Sequence, residues 1–461
     1  MTSNEVMWAF LTSYAILMFL LSPKFVDFSG YFRGTNKEGK DSSLPLLTAT
    51  IFISWIFAKS VTNAANLGAQ YGIVGGFAYA TYWLCIPLAG FVIYRLRKKF
   101  GAKGIIPFLN HNYGPWAGIF FTLAIFTRLF NEIWSNTSVV GGYFGASGST
   151  PFILASVIFS VITLAYSVRG GLRSAIVTDM IQSIIFIIFM VAVFALVLPN
   201  RPMTDYVQSG NWTLLGGVDM LLVSAVQIFS YPFHDPVLTD RGFISDEKKM
   251  LKAFIIAGLA GFVSIVLFSF VGIYAKMEGM ALTDNIPVAV AQSLGTAALV
   301  IMAGIMVSSA GSTLDSALSS IAKLSAIDVP HLLGIRLTKK KTRFIAMLTM
   351  VLFAILGNLP MFFGTSILSA TTISGTMVMG FAPIFCLHGF VPTNKWSFQL
   401  SFWIGIIIGL LYTFGLVPSI FAIGAGDSAL LLGTNVYGLI LCTLGYLLPG
   451  LLEKFQSKGV E

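Results

Sequence analysis

Polar residues interrupt one apolar stretch at positions 54–72, where the sequence contains Lys59, Ser60, Asn63 and Asn66. Ser60 and Asn63 are three residues apart, as are Asn63 and Asn66, so in a helix they share a face. Their hydroxyl and amide groups could hold a small polar solute or an ion, and such residues also favour a local helix break. The alternative is helix–helix packing, with Lys59 extending its ammonium towards water. The pattern favours a solute or ion site and leaves the role of Lys59 open.

A pair of opposite charges lies in the apolar stretch around position 130. Arg128 and Glu132 are four residues apart, so in a helix they face the same way. They could neutralise each other as a buried structural pair. Alternatively, the planar guanidinium of Arg128 binds a carboxylate of the solute while Glu132 orients it. The spacing slightly favours the structural pair, and both residues stay candidates for solute contact.

Hydroxyl groups are dense in the sequence VSSAGSTLDSALSS at positions 307–320. In a helix, Ser308, Ser309 and Ser312 place three hydroxyls on one side within about one turn, and Asp315 follows about one turn later. Hydroxyl and carbonyl oxygens are hard ligands that suit Na⁺, although serine-rich helices also form simply because small residues pack closely. Asp179, alone in another apolar stretch, needs a cation, a proton or an arginine as its partner.

An almost unbroken series of apolar stretches carries these polar groups. Hydrophobic residues make up 56% of the chain and charged residues 10%, with a mean hydropathy of +0.84. A soluble interior could not bury so much apolar surface, whereas about 20 apolar residues span a bilayer as one helix. The sequence therefore predicts an all-α integral membrane protein with about thirteen transmembrane helices. The predicted ranges are 5–22, 45–72, 74–94, 116–146, 151–168, 174–198, 218–238, 253–275, 292–326, 343–360, 365–390, 398–420 and 430–451.

Lysine and arginine residues fall mainly in alternate gaps between these stretches. If the amino terminus is outside, only Arg201 and Lys276 lie in outward-facing gaps. Lys59, Arg128 and Lys323 fall inside predicted spans, and the remaining basic residues, Arg241 among them, are expected on the cytoplasmic side. Basic residues are normally enriched in cytoplasmic loops. We therefore expect a multi-pass protein of the cell membrane (plasma or inner membrane), with its amino terminus outside and its carboxyl terminus in the cytoplasm.

The composition disfavours several functional classes. The net charge of +9 is explained by membrane orientation, so no nucleic-acid partner is expected. The four histidines are scattered and form no H-E-x-x-H motif, so no enzyme is expected. The longest polar gaps, 23–43 and 327–342, are too short for an output domain, and no obligate protein partner is evident. The expected partners are the lipid bilayer and a small polar solute.

Three segments resemble the sodium:solute symporter family, which includes bacterial proline, sialic acid and galactose symporters and mammalian sodium–glucose transporters. GGLRSAIVTDMIQ at 170–182 is similar to the signature of that family, and VSSAGSTLDS at 307–316 is similar to its sodium-binding helix. The first core helix of the family is resembled by Trp55-Ile56-x-Ala58, followed by Tyr71-Gly72. The resemblance extends over most of the chain, from about position 28 to position 390.

The resemblance implies a single transmembrane transporter domain over 1–461 with a LeuT-type fold, which is a 5+5 inverted repeat of helices. One extra helix (1–22) would precede the first repeat (45–198), and the second repeat (218–390) would be followed by two C-terminal helices (398–452). In this fold the first core helix, here the second predicted span, is unwound where it meets solute and ion.

The resemblance also implies which residues bind Na⁺ as the transported coupling ion. The main site would use the backbone carbonyls of Ile53, Ile56 and Ile305 together with the side-chain hydroxyls of Ser308 and Ser309. A second site, which occurs in only some members, would use Asp179, Ser308 and Ser312. A third hydroxyl of that second site falls on Gly311, which has none. The number of sodium ions is therefore left open.

These residues and the resemblance predict a secondary active transporter in which Na⁺ drives uptake of a small polar solute by alternating access. The candidate solute residues are Lys59, Ser60, Asn63, Asn66, Arg128 and Glu132. The cations Lys59 and Arg128 favour an amino or organic acid, whereas the amide-rich segment 62–66 would also suit a urea-like solute. Lys59 near the ion site and the glycine at position 311 keep open an alternative, a proton-coupled or Na⁺-independent exchanger on the same scaffold.

Overall fold

The computed structural model describes residues 3–23, 26–359 and 375–458 of the chain, and its regular secondary structure in these ranges is helical. The helices of the first half are α1 (Ser3–Leu21), α2 (Phe28–Arg33), α3 (Leu44–Trp55), α4 (Ala58–Tyr71), α5 (Ile73–Ala80), α6 (Cys85–Phe100), α7 (Ile105–Tyr113), α8 (Pro115–Gly141), α9 (Thr150–Val197) and α10 (Met203–Val207). Those of the second half are α11 (Val218–Gln227), α12 (Pro236–Arg241), α13 (Glu247–Met277), α14 (Ile286–Leu294), α15 (Thr296–Lys323), α16 (Val329–Leu332), α17 (Lys339–Leu356), α18 (Phe381–Cys386), α19 (Lys395–Thr413) and α20 (Ala429–Lys458).

The helices confirm the prediction of an all-α membrane protein. Eight helical segments of the described ranges are long and apolar enough to cross a membrane, and the bent pair α3–α4 makes a ninth. Large apolar side chains on these helices point outward; Val191 is 62% exposed and Phe344 is 66% exposed, as lipid-facing residues must be. The number thirteen stays a prediction, because the first part of the predicted span 365–390 lies outside the described residues.

Two predicted spans, 151–168 and 174–198, are the two arms of α9. The arms meet at Gly171, whose φ of +53° and ψ of −143° are not helical. A side chain there would be strained at this φ, and its Cβ would lie 2.5 Å from the carbonyl oxygen of Tyr31. Glycine is therefore required where the two arms join.

The second predicted span is broken, as the resemblance implied. Its two halves, α3 and α4, are bent by 59° at Ile56 and Phe57. The break leaves the first backbone amides of α4 without helical partners, and one of them, the N–H of Ala58, donates to Oδ1 of Asn136 on α8 at 3.1 Å. A side chain of a neighbouring helix thus stabilises the break.

The seventh predicted span, 218–238, is also broken, which corrects the expectation of a continuous helix. α11 ends at Gln227, a single 3₁₀ turn covers Tyr231–His234, and α12 begins at Pro236. Proline lacks a backbone N–H and clashes with the preceding helical turn, so Pro232 and Pro236 interrupt the helix. Two broken helices therefore lie in the protein interior.

Close packing holds the broken helix α4 against α13. A Cβ on Gly272 would lie 1.7 Å from the carbonyl oxygen of Ala65, and a Cβ on Gly68 would lie 2.3 Å from that of Ser269. Only glycine permits the two backbones to approach this closely. In lipid, where no hydrophobic effect drives helices together, such close packing of small residues is what holds them in contact. α13 thereby supports α4, the C-terminal half of the broken helix.

Candidate ion and solute sites

Asp179 on α9 pairs with Arg241 on α12 in the protein interior. Both side chains are fully buried, and Oδ2 of Asp179 lies 3.3 Å from Nη2 of Arg241. The carboxylate also accepts hydrogen bonds from hydroxyls of α3 and α15, which belong to Thr50, Ser54 and Ser312. Of the three partners considered for this carboxylate, the structure therefore shows the arginine.

The position of Arg241 differs from the cytoplasmic gap expected from the sequence. Its guanidinium donates to the hydroxyl of Thr50 (2.9 Å), to the hydroxyl of Ser316 (2.6 Å) and to the carbonyl oxygen of Val237 (2.6 Å). The short helix α12, which starts after the break at Pro236, turns the side chain inward. Because guanidinium presents five donors in a rigid fork, Arg241 links α12 to α3, α9 and α15 at once.

The residues of the predicted second sodium site are brought together only in part. Asp179 and Ser312 are bonded to each other, but the hydroxyl of Ser308 donates to the carbonyl oxygen of Gly304 at 2.6 Å. A Cβ on Gly311 would lie 2.4 Å from Oη of Tyr14 and 2.7 Å from the side-chain nitrogen Nε2 of Gln182 on α9. The hydroxyl of Tyr14 on α1 thus lies beside Gly311, the position at which the resemblance implied a third hydroxyl.

The residues of the predicted main sodium site surround the contact between the broken helix and α15. All five, Ile53, Ile56, Ile305, Ser308 and Ser309, are completely buried. Thr313, one turn after Ser309, donates its hydroxyl to the carbonyl oxygen of Ser54 at 3.3 Å. The last carbonyls of α3 have no full helical pairing because the helix ends there. The hydroxyls of Ser308 and Ser309 donate to carbonyl oxygens of their own helix, at Gly304 and Met306. Hydroxyl and carbonyl oxygens, the ligands that a hard cation prefers, therefore lie buried both on α15 and at the end of α3.

A second buried cluster contains four charged residues. Glu132 accepts a hydrogen bond from Nζ of Lys59 at 2.7 Å and forms an ion pair with Arg128. Arg128 also pairs with Asp235, with Nη2 and Oδ2 3.2 Å apart. All four side chains are at most 2% exposed. The two positive and two negative charges balance, which is how buried charges are tolerated.

Among the other predicted solute residues, Ser60 and Asn63 both contact Tyr79, and Asn66 lies apart. The Oη atom of Tyr79 is 3.3 Å from Oγ of Ser60 and 3.0 Å from Nδ2 of Asn63. Asn66 instead bonds to the backbone of the segment that precedes α14, at Asp284 and Ile286. Asn66 therefore orders a loop and is not brought together with the charged cluster.

Aromatic residues enclose the charged cluster at the helix breaks. The ring of Trp55 packs edge-on against Trp83 (6.5 Å between centroids) and Tyr231 (5.9 Å), and the guanidinium of Arg128 lies 5.4 Å from the centroid of Tyr231. Within the described part of the chain, several buried nitrogen atoms here have no hydrogen-bond partner. They include Nε1 of Trp55, Nε1 of Trp83, Nε of Arg128 and Nε2 of His234.

The sequence analysis did not identify these aromatic and histidine residues as site residues. Tryptophan and tyrosine are common throughout membrane helices, and only the break places Trp55 and Tyr231 beside each other. The two prolines at positions 232 and 236 were the available signal, because a helix broken at membrane depth is tolerated where it lines a cavity or is buried in protein. Buried polar nitrogens without partners are uncommon and indicate a place for a ligand or water.

Comparisons with known proteins agree with the expected family. No family model matches the chain. It is 26% identical to the probable urea active transporter 1 of Schizosaccharomyces pombe over 152 residues, 32% of this chain and 22% of that relative. It is 30% identical to the mouse sodium/glucose cotransporter 1 over 153 residues, 30% of this chain and 21% of that relative. The matches thus span about a fifth of the length of these relatives.

A solved structure of a Na⁺-coupled sialic acid symporter in a substrate-bound, outward-open state is similar over 98% of both chains. The TM-score is 0.74 and the sequence identity is 16%. At this identity the likeness shows the fold, which is the LeuT-type fold expected from the sequence. Together these matches confirm the resemblance to the sodium:solute symporter family, whose similar members are transporters and not enzymes.

Proposed function

We propose that this protein is a Na⁺-driven symporter that moves a small polar solute into the cell by alternating access. The observation that carries the proposal is the buried contact between the end of α3 and the hydroxyl-rich helix α15, where Thr313 donates its hydroxyl to the carbonyl oxygen of Ser54. The named relatives, a sodium/glucose cotransporter and a urea active transporter, support it. We place the protein in the cell membrane with an outside amino terminus and a cytoplasmic carboxyl terminus, as its basic residues indicate.

The two broken helices support the proposed inverted repeat. The α3–α4 pair begins the proposed first repeat (45–198), and the broken α11–α12 segment begins the proposed second repeat (218–390). In an inverted repeat the first helix of each half occupies an equivalent place, and discontinuous helices at such places line the sites for solute and ion. We therefore assign both sites to the region between these breaks.

Na⁺ binding would be coupled to solute transport through Ser308 and Ser309 on α15 and the carbonyls of Ile53 and Ile56. An ion held between α15 and the broken helix stabilises the conformation in which these elements touch. It can shift the equilibrium between outward-open and inward-open forms only by its differential affinity for them. Release of Na⁺ into the cytoplasm would then favour release of the solute.

Replacing Ser309 with alanine should raise the Na⁺ concentration for half-maximal stabilisation at least about tenfold, since removing a bond to a charged group costs roughly 1.5–3 kcal/mol. The measurement is the melting temperature of the purified protein titrated with NaCl at constant ionic strength, with choline chloride as the balancing salt. Ser319→Ala is the matched control, because Ser319 lies on the same helix and donates only to the carbonyl oxygen of Asp315. An unchanged Na⁺ titration in S309A would refute the site.

The charge balance of the second cluster favours an uncharged solute over an amino or organic acid. Lys59 and Arg128 are already neutralised by Glu132 and Asp235, so neither ammonium nor guanidinium is left to bind a carboxylate. The partnerless indole N–H groups of Trp55 and Trp83 can donate to carbonyl or hydroxyl oxygens of a neutral compound. Nδ1 of His234 donates to the carbonyl oxygen of Tyr231, so its partnerless Nε2 can accept from an amide or hydroxyl of the same compound. We propose that these groups, with Lys59, Ser60, Asn63, Arg128 and Glu132 nearby, form the solute site.

Urea and other small neutral amides should stabilise the purified protein in NaCl more than in choline chloride. Amino and organic acids should produce the smaller shift, because each carries a carboxylate and the cations Lys59 and Arg128 are already paired. The measurement is a thermal-shift screen over both classes and sugars, each at matched osmolarity. Stabilisation by a solute to the same extent in both salts would instead favour the exchanger or proton-coupled alternative.

A further inference from the structure

Asp315 on α15 is a buried carboxylate that the ion and solute sites do not use. It is completely buried, and its Oδ2 accepts hydrogen bonds from the hydroxyls of Tyr166 (3.0 Å) and Thr178 (2.7 Å) on α9. Its Oδ1 has no hydrogen-bond partner, and none of the lysine, arginine and histidine side chains in the described ranges forms an ion pair with it. An isolated negative charge at this place would be very costly.

A second partnerless acceptor lies on the facing surface of α9. Gln182 is completely buried, and its amide nitrogen donates to Oη of Tyr14 at 2.8 Å, whereas its Oε1 has no partner. Gln182 follows Thr178 by one helical turn, and Gly311 precedes Asp315 by one turn on α15. A Cβ on Gly311 would lie 2.7 Å from Nε2 of Gln182, so these two turns face each other. Two unsatisfied oxygens therefore occupy neighbouring turns of one helix–helix contact.

We propose that Asp315 is a proton-binding site, in which the proton on Oδ1 neutralises the carboxylate and is donated towards Oε1 of Gln182. A proton on Oδ1 would give both of these neighbouring oxygens a hydrogen-bond partner, because two acceptors cannot bond to each other without one. A sodium ion fits less well, since a hard cation takes several oxygen ligands, whereas the partnerless oxygens identified at this contact in the described residues are Oδ1 of Asp315 and Oε1 of Gln182. The hydroxyls of Tyr166 and Thr178 already point their protons at Oδ2.

The other titratable groups around Asp315 do not supply a counter-charge. On α9 these are Asp179 and Tyr166, on α1 Tyr14, and on α12 Arg241, which is paired with Asp179. Loss of the proton from Asp315 would add an uncompensated negative charge beside the neutral pair formed by Asp179 and Arg241. The α9–α15 contact is therefore expected to loosen when Asp315 loses its proton, which would make the conformational equilibrium of the protein depend on pH.

Infrared difference spectroscopy of the purified full chain in lipid, recorded at neutral pH in H₂O and D₂O, tests the proposal. We expect the carbonyl stretch of a protonated carboxylic acid in the wild type and its loss in Asp315→Asn. Asp219→Asn is the matched control: Asp219 is buried but accepts backbone hydrogen bonds from Met220 (2.7 Å) and Ser428 (2.6 Å), so its replacement should leave the band unchanged. A wild type without the band, or a band that persists in D315N, overturns the proposal.

A second variant keeps the test decisive if D315N does not fold. Gln182→Leu removes the proposed acceptor, so the band should move to higher frequency without disappearing, as for a carboxylic acid that loses its hydrogen bond. An unshifted band in Q182L would overturn the assignment of Gln182 as the acceptor. The spectra require neither sodium nor solute, so a missing band would leave the proposed symport unaffected, and loss of Na⁺ dependence in S309A would leave the proton site unaffected.

Discussion

Replacing Asp179 with asparagine should destabilise the protein by about 3–5 kcal/mol, the usual cost of removing one partner from a buried ion pair. Arg241 would keep its full charge in the interior, and its observed acceptors would then be neutral: the hydroxyls of Thr50, Ser54 and Ser316 and the carbonyl oxygen of Val237. We expect a clearly lower midpoint of unfolding for D179N when the purified protein is titrated with sodium dodecyl sulfate.

The double variant Asp179→Asn/Arg241→Met should recover most of the lost stability. Methionine is similar in length to the arginine stem and leaves no charge in the interior. Asp205→Asn is the surface control, since Asp205 is exposed on α10 and its replacement should change stability little. If the double variant were less stable than D179N, Arg241 would be held by its hydroxyl contacts and not by the charge of Asp179.

The same variants test the second sodium ion. A carboxylate that already pairs with a guanidinium has no remaining charge for Na⁺, so the stability lost in D179N should be the same in NaCl and in choline chloride. The arrangement of Asp179 with Ser312, Thr50 and Ser54 then serves to hold α9, α3 and α15 together. If D179N lost stability in NaCl but not in choline chloride, Na⁺ would bind at Asp179, and the predicted second sodium site would be supported.

The sequence predicted the parts of the architecture that depend on local composition. The all-helical fold follows from apolar runs that only helices can satisfy in lipid. The break at Ile56 could be expected because small and amide residues follow it and because the family has a discontinuous helix there. The break before α12 was missed, although Pro232 and Pro236 signalled it, because hydropathy continues across the prolines.

Side-chain partners on different helices could not be predicted in the same way. Spacing along one helix identified the contact of Arg128 with Glu132, since residues four apart share a face. The partners Lys59 and Asp235 come from α4 and the turn before α12, and their approach depends on how the helices cross. Tyr14 likewise reaches Gly311 from α1, a helix outside the segments that resemble the family. Such contacts follow from tertiary packing, which no periodicity in the sequence encodes.

Replacing Glu132 with glutamine should be as damaging as the change at Asp179. Glu132 is the carboxylate shared by Lys59 and Arg128, and Asp235 is the other acid of the cluster. Its loss leaves two buried cations and one buried anion, which should cost about 3–5 kcal/mol. The measurement is the unfolding midpoint of E132Q together with its yield of monodisperse protein after solubilisation.

Rescue of Glu132→Gln should depend on which cation is removed with it. Adding Lys59→Met leaves Arg128 and Asp235 as a neutral pair 3.2 Å apart, so stability should largely return. Adding Arg128→Met instead removes the cation that pairs with Asp235, while Lys59 has already lost Glu132, so Lys59 and Asp235 are both left without their observed partners and stability should not return. Equal rescue by both would contradict the observed pairing. If K59M/E132Q also keeps its solute-dependent stabilisation, the ammonium of Lys59 serves charge balance, and the solute is held by neutral hydrogen-bonding groups.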